Sequence, residues 1–93
     1  MDAAALFVDL DPNGLMTRDN ALVLLVDLRF LVAVRVATTL PVFDACPARI
    51  AVGHLIEAME ATTIDDDVDR QQVQVLRNAA VAWLAVSNLK NPN

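Results

Sequence analysis

Tyrosine is absent from this chain, and cysteine, histidine and tryptophan each occur once. Phe7, Phe30, Phe43 and Trp83 are its aromatics, so a core must be built from Leu, Val, Ile and Ala. With Cys46 alone there is no intrachain disulfide and no cysteine zinc site, which suits a reducing cytosol. The start, Met1-Asp2, lacks the basic residues of a secretory leader. Two glycines, Gly14 and Gly53, exclude a glycine-rich nucleotide loop. Basic residues are scarce: seven against twelve acids, a net charge of −5, with no local cluster. Such a surface repels phosphate backbones, so nucleic acid is not an expected partner. Long uncharged apolar runs are missing too. The most apolar stretch, residues 21–37, contains Asp27, Arg29 and Arg35. Each would cost about 2.5–3.5 kcal/mol near a bilayer centre, which argues against a membrane span.

What is present is apolar surface in excess. Hydrophobic residues make up 56% of the chain, against roughly 45–50% in ordinary soluble proteins. A single domain of 93 residues cannot bury that much within itself. Part of it is therefore expected at an interface with a second copy or another protein.

Along the chain, Asp2 can cap a short helix through Ala3 to Leu10. Asp11-Pro12-Asn13-Gly14 has the residue order of a type I turn. Thr17 is a good N-cap, with Asp19 placed for the helix dipole. From Arg18 to Leu40 no Gly or Pro intervenes, which predicts one central buried helix of about 23 residues, roughly 35 Å long. Residues 27–36 also alternate apolar and polar with several β-branched side chains, so a strand near 27–36 is the alternative. Leu40-Pro41 ends the segment. Asp44 or Cys46 then caps a third helix with Pro47 in its first turn. Val52, Leu55, Ile56 and Met59 form its apolar stripe, and Gly53 is expected to mark a close helix crossing. Asp65, Asp66, Asp67 and Asp69 crowd the start of a fourth helix running to about Leu89. Residues 79–86 are apolar all round and are expected deep in the fold or in an interface. The predicted fold is a single all-α domain over 1–93, a small antiparallel four-helix bundle with a short first helix. An α+β variant carries the strand.

Few residues carry chemistry. Asp9, Asp11, Asn13 and Gly14 give D-x-D-x-N-G, which resembles the front half of an EF-hand calcium loop. The resemblance implies Asp9, Asp11 and Asn13 as side-chain ligands and Leu15 as a carbonyl ligand. It also implies Met16 as apolar anchor and Thr17 as the water-bridged position. Its closing position falls on Asn20, where the family carries a bidentate Glu. LVLLVD at residues 22–27 is similar to the opening strand-to-Asp segment of isochorismatase-like hydrolases. The downstream lysine and cysteine of that family's triad are not in place, so no such activity follows. Cys46 and His54, on one helix, would lie about 12 Å apart along its axis, too far for a nucleophile–base dyad. Glu57 and Glu60 share a face without the Glu-x-x-His motif of a di-metal site. Residues 65–69 could imitate phosphates toward a basic partner.

These readings converge on a non-catalytic interaction protein, an adaptor, inhibitor or chaperone-like module, as a homodimer or with a protein partner. No cofactor is expected. Leu24, Leu28, Leu31 and Trp83 are the expected contact residues. A calcium- or small-ligand module over Asp9–Asn20, and an acidic inhibitor of a basic partner, are the alternatives.

Overall fold

The computed structural model describes residues 5–90. The predicted cap at Asp2 lies outside them. α1, Ala5–Val8, ends where the Leu10 amide donates to the Phe7 carbonyl at 3.1 Å. The Asp11–Gly14 turn follows as read: the Gly14 amide donates to the Asp11 carbonyl, and the Asn13 amide to Asp11 Oδ1, both at 3.0 Å. Room for a side chain is tight there. A Cβ on Gly14 would stand 3.2 Å from the Asp11 carbonyl oxygen.

The turn delivers β1, Leu15–Met16, which pairs antiparallel with β2, Cys46–Pro47, setting Met16 opposite Cys46. Two-residue strands are too short to show any alternation, and the sequence reading missed both. Their pairing clamps the turn onto the start of α4, Ala48–Ala61. Pro47, read as a first-turn residue, stands at the N-cap and caps with no side chain. The orphan amides of Ala48 and Arg49 donate instead to the carbonyls of Gly14 (2.8 Å) and Pro12 (3.3 Å).

α2, Arg18–Val23, starts as expected, with Thr17 Oγ1 accepting the Asn20 amide at 3.2 Å. The predicted long helix does not continue. From Leu24 to Leu28 the amides bond three residues back, Leu24 to Ala21, Leu25 to Leu22, Val26 to Val23 and Leu28 to Leu25. Arg29 then turns extended (ψ 144°) and caps α3, Phe30–Thr39. The expected single helix over 18–40 is thus two helices, and the alternative strand near 27–36 is helix from Phe30 onward. Both short helices pack along α4, whose 14 residues span about 21 Å. The tightened turns also bury Leu24, Leu25 and Leu28 together. Arg29 fastens the break, its Nε 2.9 Å from Asp69 Oδ1 as an ion pair off hydrogen-bond direction.

α4, not the second segment, is the buried centre. Ala48, Ala51, Val52, Leu55, Ile56, Ala58 and Met59 are all buried, and α2, α3 and α5 pack against it. α5, Asp67–Lys90, has Asp66 at its start, whose Oδ1 accepts the Asp69 amide at 3.0 Å. Val73, Leu76 and Ala80 face the core. Residues 79–86 are less buried than expected: Ala80 is covered, Trp83 and Leu84 are half-buried, and Val81 and Val86 are exposed. α5, with 24 residues against 14 in α4, outruns the helix it packs on. The described residues are therefore mostly helical, with one two-stranded sheet among them. Among the described residues no helix is long and apolar enough to cross a membrane.

Gly53 marks no crossing, because a Cβ there would meet nothing within 4 Å. Gly53→Ala is expected to stabilise the protein by about 0.4–1 kcal/mol, read as a higher urea midpoint. A second prediction concerns Asp66. The Asp69 amide, and then the Arg29 and Arg70 guanidiniums, hold its carboxyl below the usual 3.8. A lowered folded pKa means stability is fully present above 3.8 and is lost as pH falls through the folded value. Asp66→Asn keeps an acceptor for the amide and loses the charge. Its stability should therefore decline less than the parent's in acid urea titrations.

Candidate functional site

Around the D-x-D-x-N-G loop, α1, the turn, β1 and α2 follow in order, and Met16 is buried. β1 even has the paired partner that the sequence did not reveal, in the segment ending at β2. The ligand positions are arranged otherwise. Asp9, Asp11 and Asn13 are exposed, and Asp11 Oδ1 already accepts the Asn13 amide. Gly14 has no left-handed backbone. Thr17 and Asn20 are joined to each other as helix cap and capped amide. Among the described residues no three of His, Cys, Asp and Glu stand together as a metal-binding group.

The remaining reactive residues are taken up by packing. Cys46 sits in β2, partly covered. His54 lies on α4 with its ring 5.5 Å from that of Phe43, tilted by 31°. Glu60 turns to Arg77 of α5 at 3.5 Å, away from any pairing with Glu57. Three acids of the run are engaged within the chain: Asp66 caps α5, Asp67 bonds Arg70, and Asp69 pairs with Arg29, while Asp65 is exposed.

The four expected contact residues separate. Leu24 and Leu28 are buried in the chain's own core. Trp83 is half-buried, its ring 6.3 Å from that of Phe7. Leu31 is 74% exposed on α3. The break at 24–29 divides them, since it turns one side of the expected helix inward and leaves the other out.

That same break builds a surface the sequence reading missed. α2 and its following turn present Leu22, Val23 and Val26, and α3 presents Phe30, Ala33 and Val34. Between them runs an open groove of about 510 Å³. Phe30 is 78% exposed and Val26 70%. Each wall follows helical spacing, Asp19, Leu22, Val23, Val26 on one side and Phe30, Ala33, Val34, Ala37 on the other. Two separate wheels, one on each side of Asp27–Arg29, would have displayed it. At the far end Arg18 reaches across and donates to the Ala37 carbonyl at 3.1 Å. Set against protein families, curated proteins and solved structures, the chain matches none of them.

The loop at Asp9–Asn20 yields a prediction of its own. With Asp11 committed to the turn and Asn20 in place of a bidentate Glu, millimolar calcium should leave the melting temperature unchanged. A calcium-dependent rise abolished by Asp9→Asn would reinstate the loop as a metal site.

Proposed function

We propose that this chain is a non-catalytic interaction module that presents the α2–α3 groove to another protein chain, in the cytoplasm. The observation carrying the proposal is the exposure of Val23, Val26, Phe30 and Val34 around one groove. Single exposed apolar residues are ordinary on any protein, but a grouped set around a groove is the usual mark of an interaction site. The same residues account for part of the apolar excess in the composition. Where reactive side chains occur they are spent on capping, ion pairing and ring packing. A homodimer and a complex with a different protein both satisfy this reading.

Photo-crosslinking tests it directly. A crosslinking residue at Phe30 should give a protein adduct in cells, whereas one at the exposed Glu57 on α4 should not. No adduct at Phe30, together with a strictly monomeric mass at micromolar concentration, would refute the module. Phe30→Asp should remove the adduct formed by a crosslinker at Val26 and leave the fold intact, since an acid in the first turn of α3 suits the helix dipole.

A further inference from the structure

We propose that the outer flank of α5 is a dimer interface, occupied by the same flank of a second copy of this chain running antiparallel. This surface is separate from the α2–α3 groove, and neither reading depends on the other.

Spacing is the first observation. From Val68, the positions Gln72, Val75, Ala79, Ala82, Val86 and Leu89 follow in steps that alternate four and three. All lie within α5, Asp67–Lys90. Such alternation keeps a mean period of about 3.5 residues over three heptads, the seam of a coiled coil. This seam is not the one that holds α5 in the fold. Val73, Leu76 and Ala80 are the buried residues, whereas Val68, Val75, Val86 and Leu89 are at least 50% exposed. Gln72 and Ala82 between them are exposed too.

Charge is the second. From Gln71 to Leu89 the only charged side chain is Arg77, and it turns to Glu60 of α4 at 3.5 Å. The outward side of a surface helix ordinarily collects charge, and charge is depleted where an interface is covered. The acids gather at one end: Asp65, Asp66, Asp67 and Asp69 at the start of α5, and Asp27 in the cavity it forms with Val68 and Val75. Even with Arg29, Arg35 and Arg70 nearby, five acids keep that end net acidic. The helix ends on Lys90, the chain's only lysine.

That polarity selects the occupant and its direction. A twofold contact sets one patch against itself, and the uncharged middle of this flank meets no like charge there. Antiparallel pairing brings the acidic start of each α5 to the Lys90 end of the other and opposes the two helix dipoles. A parallel pair would bring both acidic starts together. Ala79 and Ala82 fall near the middle, where small side chains let the two axes approach.

The area suffices. The 24 residues of α5 span about 36 Å, and half the side of a cylinder of that length, about 11 Å across, is roughly 600 Å². Two copies cover roughly 1,200 Å², above the about 1,000 Å² of a specific interface.

The full chain is tested by sedimentation and thermal melting over a micromolar concentration range. A dimer is expected, with a melting temperature that rises with concentration. Val75→Asp or Val86→Asp, both at exposed positions, should weaken it at least about tenfold while far-ultraviolet circular dichroism stays unchanged. Phe30→Asp should leave the mass unchanged. Direction is read in a Cys46→Ser background with a short bis-maleimide. Ala82→Cys should link to its own copy, and Val68→Cys should link only when mixed with Leu89→Cys.

A chain that stays monomeric at every concentration, or a dimer indifferent to both aspartates, overturns the proposal. So does Val68→Cys linking to itself, or a crosslinker at Val86 that captures a different protein while the chain remains monomeric. A dimer lost on Phe30→Asp alone places the second copy in the α2–α3 groove: the α5 interface is then wrong and the groove reading stands. An intact α5 dimer with no adduct at Phe30 supports this interface and counts only against the groove.

Discussion

A helix buried at its beginning must find acceptors for amides that no helical turn can satisfy. α4 meets this condition with backbone rather than side chain. The carbonyls of Pro12 and Gly14 receive the amides of Arg49 and Ala48, and the β1–β2 pair holds them there. Everything else is arranged around that anchored helix. Ala51, Val52 and Leu55 are fully covered, and α2, α3 and α5 each contribute a side of the wrapping. The segment after Thr17 breaks into two helices, and α5 is longer than α4.

Where local chemistry decides the structure, the sequence could be read. The Asp11–Gly14 turn, the Thr17 cap, the Val52–Leu55–Ile56–Met59 stripe and the acidic start of α5 all follow from residues within a few positions of each other. Where a distant partner decides it, reading failed. No Gly or Pro marks the break at 24–29. It goes with the joint burial of Leu24, Leu25 and Leu28 and with a contact from Arg29 to Asp69, far along the chain. The two short strands leave no periodic trace. The contact surface was legible in the same uneven way. Leu31 was placed on an exposed side and is exposed, but Leu24 and Leu28 were grouped with it on a straight helix that does not exist.

The charged residues divide in a manner that composition alone hides. Most of the arginines are used to fasten elements together: Arg18 between α2 and α3, Arg29 and Arg70 around the start of α5, Arg77 between α5 and α4. Acids outnumber them, so the remainder exposed to solvent is acidic.

The bond from Arg18 to the Ala37 carbonyl has a further effect on that groove. Its walls are joined covalently at one end by the Leu24–Arg29 turn and tied at the other by this guanidinium. The two walls are thereby restrained from splaying apart. Under the proposed function, a host restrained at both ends has less ordering to undergo on association than one whose walls are free.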